Sequence, residues 1–140
     1  MNAVLDASAA VEVVLGRPAA DRVTAILSEA ETVWAPELFT FEITNLFWKL
    51  STLGGFPVAR CQRALSQALQ LPDAWVPGAD LVEEVLELAC QLRRPAYDLF
   101  YLVLARRHAA ILLTMDRKLS ETAKNLGVHT ESPPEHDSGA

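Results

Sequence analysis

Long apolar runs are missing from this chain of 140 residues. None approaches the roughly 20 residues that cross a bilayer as a helix, so no membrane association is expected. The opening Met1 to Asp6 has neither the basic stretch nor the extended apolar segment of a secretory leader. Cysteine is scarce: Cys61 and Cys90 are the only two, each inside an apolar helical pattern. They make no zinc motif, and buried free thiols in a reducing, cytoplasmic setting are expected. Positive charge is short as well, with 12 Lys and Arg against 18 Asp and Glu and a formal net charge of −6. That argues against holding nucleic acid by bulk positive charge, which needs clustered cations. It leaves room for an acidic nuclease, because carboxylates gathered around divalent cations carry charge that the bound ion offsets. A basic protein partner would also suit such a surface.

Other chemistries lack their signals too. No Gly-x-Gly-x-x-Gly follows a strand, and no Gly-x-Ser-x-Gly elbow occurs. The histidines, His108, His129 and His136, fall at a helix end, a terminal strand and the tail. A phosphotransferase of the haloacid dehalogenase type would need a second Asp two positions after Asp6, where Ser8 stands.

What the chain does have is core material: 51% hydrophobic and 21% charged residues, enough for one packed domain. Ala3-Val4-Leu5-Asp6 reads as a short strand ending in an acid, followed by helices over about 8–15 and 19–30. Thr32 to Ala35 is a second strand. A helix over 37–53 ends at Gly54-Gly55, a pair suited to a left-handed terminus. Pro57 opens a helix reaching about Gln70, and 74–76 is a weak strand. An amphipathic helix over 79–92 places Leu81, Val82, Val85, Leu88, Ala89 and Leu92 on one side. Helices over 96–108 and 117–126 flank the strand Ile111 to Thr114, and 128–130 can form a last strand. Strands alternating with helices imply an α/β fold, a three-layer α/β/α sandwich around a short, mostly parallel sheet. Residues 1–131 form one domain without internal repeats, and the Pro-, Glu- and Ser-rich 132–140 read as a disordered tail.

Ligands in open parallel sheets sit beyond the carboxyl ends of the strands. Asp6 ends the first strand and Asp116 follows the strand at Ile111, so both point to one rim. Asp98 stands in the opening turn of a helix. Each of these three has a structural explanation, since Asp at a helix start caps free N–H groups for about 1 kcal/mol. Glu42 does not. It sits mid-helix, bordering the face of Phe39, Ile43, Leu46, Phe47 and Leu50, with Asn45 one turn on; pairing with Lys49 or Arg60 is its ordinary alternative. The apolar block Leu99 to Ala105 further suggests that Asp98 is buried, where an ionised carboxylate needs a helix terminus, an Arg or a cation. A cation accounts for all four acids together, and capping for three.

These pieces resemble the PIN-domain family, and within it the small VapC-type toxins of bacterial toxin–antitoxin pairs. The resemblance runs from Asn2 to about Thr130. It rests on Val4-Leu5-Asp6-Ala7-Ser8, on Glu42-Ile43-Thr44-Asn45, on the block Tyr97 to Ala105, and on Thr114-Met115-Asp116-Arg117-Lys118-Leu119. Met115 and Phe100 are bulkier than is usual at their positions, and neither removes an acid. The resemblance implies a magnesium- or manganese-dependent endoribonuclease. Asp6, Glu42, Asp98 and Asp116 would be its catalytic and metal-binding acids, and Ser8, Asn45 and Thr114 its supporting polar groups. It also implies a homodimer and a cognate antitoxin.

Magnesium prefers about six oxygens and keeps several waters. The expected chemistry is therefore hydrolysis of an RNA phosphodiester by water activated at the metal, with no covalent enzyme intermediate. Arg117 and Lys118, next to Asp116, are the cations best placed to touch substrate phosphate. The alternative is a catalytically silent PIN-like binding module whose acids are structural caps. On the 37–53 helix, Phe41 and Trp48 face away from the core side, so they mark either an interface or the footprint of a neighbouring helix.

Overall fold

The computed structural model describes residues 1–131; the tail expectation for 132–140 lies outside them. Five parallel strands, β1 (Asn2–Leu5), β2 (Thr32–Pro36), β3 (Ala74–Val76), β4 (Ile111–Leu113) and β5 (Thr130–Glu131), form one sheet in the order β3-β2-β1-β4-β5. Seven α-helices flank it among the described residues: α1 (Ala7–Val14), α2 (Ala20–Glu29), α3 (Leu38–Thr52), α4 (Val58–Leu69), α5 (Val82–Leu92), α6 (Leu99–Arg107) and α7 (Arg117–Asn125). The α/β sandwich expected from the alternation of strand and helix is the fold observed. No helix of the described residues is long and apolar enough to cross a membrane.

β1 is central because it is apolar at every position that meets the core. Ala3, Val4 and Leu5 are fully buried, with Val4 paired to Trp34 on one side and to Leu112 on the other. A strand covered on both faces of a parallel sheet reads as a continuous apolar run, and Ala-Val-Leu does so. Helix α6 lies across β1, β2 and β4, which is why Leu99 and Tyr101 to Ala105 are all buried. Helix α1 packs on α2, α3 and α4.

The chain moves outward from β1 through β2 to β3, then returns to the other side of β1 for β4. The connection therefore reverses between β1 and β4, and in such sheets the crevice opens beyond the carboxyl ends of those two strands. The ladder runs one step past β1, since the Asp6 amide donates to the Leu113 carbonyl at 3.1 Å. The opening of the crevice is thus bounded by Asp6 on one strand and Thr114 on the other.

Local details differ from the sequence expectation in a few places. The helix expected from Ala79 begins as a 3₁₀ turn over Gly78–Asp80 and becomes α-helical only at Val82. On α5, Leu81, Val85, Leu88 and Ala89 are buried, but Val82 and Leu92 are exposed, so the apolar stripe is narrower than its spacing implied. Cys90, off that stripe, is exposed, and only Cys61 is buried. The last strand is displaced to Thr130–Glu131, because Val128 turns into the core after Gly127. The end of α3 is as expected. Gly55 adopts φ +74°, and a Cβ on Gly54 would meet the Leu50 carbonyl oxygen at 2.7 Å.

Candidate active site

Asp6 is the buried centre of the crevice. Its Oδ1 accepts from the Ala9 amide at 2.9 Å, capping α1, and from the Ser8 hydroxyl at 2.6 Å. Its Oδ2 accepts from the Thr114 hydroxyl. Each hydroxyl also accepts from the backbone after β4: Ser8 from the Met115 amide at 2.9 Å, Thr114 from the Asp116 amide at 3.0 Å. A hydroxyl has one proton to give and lone pairs to receive. Both protons go to Asp6, and the two strand ends are stitched together through its carboxylate. Ser8 and Thr114 thus hold Asp6 from both sides. Asn45 lines the cavity from α3.

No cation touches Asp6 among the described residues. Burial pushes its pKa up from the ordinary 3.8 to about 6, against the lowering effect of Ser8, Thr114 and Ala9, and the charge of Asp116 raises it further. Glu42 stands half-buried on α3 and accepts from the Tyr101 hydroxyl of α6 at 2.5 Å. Burial raises its pKa, with smaller contributions from the charges of Asp6 and Asp98. The buried Tyr101 is pushed upward in turn, first by burial and then by Glu42, so it remains an O–H donor. Neither Lys49 nor Arg60 bonds Glu42; the mid-helix acid finds its partner on another helix.

Asp98 departs from both expectations made for it. Its side chain is 41% exposed, so it is not a desolvated carboxylate, and it caps nothing. It pairs instead with Arg94 at 3.2 Å, and Arg94 also donates to Thr122 of α7 at 2.7 Å. One guanidinium thereby fixes Asp98 relative to two helices. Asp116 does cap, accepting from the Leu119 amide of α7 at 3.2 Å. Capping therefore describes Asp6 and Asp116, not Asp98 or Glu42.

All four acids line one cavity of about 250 Å³, together with Ser8, Asn45, Lys49 and Tyr101. Arg117 and Lys118 flank it and line two other grooves. Tyr101 and Arg94 are the residues that sequence reasoning undervalued. Tyr101 was hidden in an apolar block, although its position one helical turn after Asp98 places it on the same side of α6. Arg94 precedes Asp98 by four residues, but the intervening Pro95 obscured the pairing.

Do these groups suit a divalent cation? Among the described residues, no three acidic, imidazole or thiol side chains converge closely enough to enclose an ion by themselves. The donors are nonetheless all hard oxygens, and the buried carboxylate has neutral hydrogen-bond donors and no counter-charge. That suits magnesium or manganese, which bind through one or two carboxylates with water completing the shell. The residues fit.

A family model described as the PIN domain matches residues 3–125. Ribonuclease VapC3 of Pyrobaculum aerophilum is 25% identical over 123 residues, covering 86% of this chain and 94% of that one. The crystal structure of PAE2754 from Pyrobaculum aerophilum superposes with a TM-score of 0.70 at 26% identity, covering 93% of this chain and 92% of that one. FitAcB from Neisseria gonorrhoeae shares the fold, with a TM-score of 0.58 at 20% identity over 97% of this chain and 99% of that one.

Proposed function

This chain belongs to the PIN-domain family, and from that premise we propose that it is a metal-dependent endoribonuclease, the toxin of a toxin–antitoxin pair. The likeness to Ribonuclease VapC3 supports ribonuclease chemistry. The observation that carries the reading is Asp6, a carboxylate buried without a counter-charge in a cavity lined by three further acids. A module whose acids served only as caps would gain nothing from that burial, since an exposed Asp caps as well without the desolvation cost.

Asp6, Asp98 and Asp116 would hold magnesium or manganese, with Glu42 completing the set. The ion would supply stabilisation of charge on a phosphodiester oxygen and an easier deprotonation of water. Oδ1 of Asp6 is occupied by two donors, so Oδ2 is its oxygen with capacity to spare. Glu42 has raised proton affinity and is held by Tyr101, which suits it to accept a proton from the attacking water. Arg94 keeps Asp98 oriented without occupying the cavity wall. Arg117 and Lys118, exposed and without an ion pair among the described residues, are available to substrate phosphates.

The test is cleavage of single-stranded RNA by the full chain in magnesium, with and without chelator. Asp98→Ala suits it because a half-exposed acid contributes little to folding. Chelation or Asp98→Ala should each lower the rate at least about 100-fold. Undiminished cleavage by Asp98→Ala would sink the mechanism, and an inert wild type would favour the binding module.

Assembly is proposed on α3. Phe41 is 66% exposed and Trp48 53%, so no neighbouring helix covers them. Large exposed aromatics suit the core of an interface, here with a second copy or the antitoxin. Replacing both by Ser should weaken that association about 100-fold in sedimentation, leaving the fold intact. An unchanged oligomeric state together with unchanged antitoxin binding would refute the placement.

A further inference from the structure

The acid cavity is not closed. Ser8, Leu46 and Lys49 on its wall also line a larger neighbouring groove of about 680 Å³, a size typical of small-ligand pockets of about 300–1,000 Å³. The groove is built from two kinds of surface. Val11 of α1, Leu46 and Leu50 of α3, and Met115 after β4 make it apolar inside. Arg17, Lys49 and Arg117 add positive charge, and Glu12, on the same lining, pairs with Arg17 at 3.9 Å and offsets it. Lys49 and Arg117 are exposed and have no ion pair among the described residues, so they are the groove's two free cations.

On a chain of net charge −6, free cations placed beside an acidic cavity call for an anionic ligand. The apolar lining between them calls for a flat, weakly polar group carried by that anion. An unpaired nucleotide offers both, with phosphates for the cations and an unstacked base for the apolar wall. A duplex would keep its bases stacked inside and leave the apolar wall wet.

The other side of the cavity continues the path. Asp98 is shared with a second groove of about 570 Å³, lined by Arg94, Lys118, Thr122 and Asn125 among others. The consecutive residues Arg117 and Lys118 thus line different grooves, each sharing part of its wall with the acid cavity. A strand can enter on one side of the acids and leave on the other, which suits cleavage within a chain.

We infer that the groove over Leu46 and Leu50 is a subsite for an unpaired RNA base adjacent to the scissile phosphodiester, with Lys49 and Arg117 holding the flanking phosphates. This rests on the ribonuclease reading above and adds to it a base subsite and the residues that form it. Continuity with the acid cavity favours RNA over a peptide occupant, because a strand held at the acids can extend into this groove.

The test uses full-length protein carrying Asp6→Asn, magnesium, and a fluorescent 12-nucleotide single-stranded RNA of mixed sequence. Adding Lys49→Ala and Arg117→Ala should weaken binding about tenfold and make the plot of log affinity against log salt shallower by about 1.4, at about 0.7 per phosphate contact. Leu46→Asp should weaken binding about tenfold with little change in that slope. The two cations are exposed, so their variant remains informative if Leu46→Asp fails to fold. Unchanged affinity and slope in the cation variant, with a wild type that still cleaves RNA, overturns this inference alone. Unchanged RNA affinity with loss of a protein partner makes the groove a protein-docking site and equally overturns it. A wild type that cleaves nothing, with an Asp6→Asn protein that binds no RNA, brings down the ribonuclease reading itself.

Discussion

Asp6→Asn should abolish RNA cleavage and at the same time raise the melting temperature of the metal-free protein at pH 8. Burial lifts the Asp6 pKa from 3.8 to about 6, so the folded protein binds a proton more tightly there than the unfolded chain. The sign follows from linkage. The stability contributed by protonated Asp6 is fully present below pH 3.8 and is lost as pH rises through about 6. At about 1.4 kcal/mol per unit of pH, the loss amounts to about 3 kcal/mol by neutral pH. Asn carries no charge to desolvate. It keeps the acceptor for Ala9 and Ser8 but leaves the Thr114 proton without its carboxylate, which returns part of the gain. A net increase of about 1–2 kcal/mol, or about 5 °C, is expected above pH 7 and should vanish towards pH 4. Magnesium should stabilise the wild type and not the variant, because a ligand that binds only the native state raises its stability. Thermal melts across pH with and without magnesium check all three points. A variant less stable than wild type at pH 8 without metal would show that Asp6 is not held against its desolvation cost.

Thr114→Val is the second large effect, and it goes the other way. The hydroxyl is fully buried, donates to Asp6 and accepts from the Asp116 amide. Valine matches its shape but leaves both partners short of a hydrogen bond at a fully buried position. Two such losses, one at a charged group, cost about 2–3 kcal/mol, a fall of about 10 °C in melting temperature. The Thr114 bond also lowers the Asp6 pKa, so its removal moves that pKa further up. The acid limb of the pH–rate profile should therefore shift to higher pH, and activity at pH 6 should fall about 10–100-fold. Thr114→Ser restores the hydroxyl and should recover both stability and pH profile. A Val variant with an unchanged acid limb would mean that Thr114 supports the fold and not the carboxylate.

The parts of the site that were legible in sequence are those governed by short-range rules. Asp6 and Asp116 follow apolar strand segments, and strand ends in parallel sheets meet at one rim. Gly54-Gly55 ended α3 for a backbone reason that needs no partner. The errors arose where a side chain's surroundings come from distant segments. Asp98 was expected to be buried because its own helix is apolar, yet the exposed α5–α6 connection leaves it half in solvent beside Arg94. The desolvated acid is Asp6, whose burial depends on α1, β4 and the chain after β4 closing over it. Tyr101 looked like core, and its hydroxyl matters only because α3 brings Glu42 within 2.5 Å. On α5, periodicity places Val82 and Leu92 with the core, but α5 packs mainly on α6, and both ends of that stripe stay exposed.

The sequence by itself determined the alternation of strands and helices, the parallel sheet, and the presence of two acids at the carboxyl ends of adjacent strands. Hydrophobic period and turn chemistry are properties of neighbouring residues and survive without tertiary context. Tertiary structure decided which acid loses its water, which hydroxyls point their protons at it, and which cations are left without partners at the mouth of the cavity. Those outcomes depend on distances between residues as far apart in the chain as Asp6 and Thr114. Electrostatics in a low-dielectric crevice is set by such distances and by burial, which only the folded chain defines.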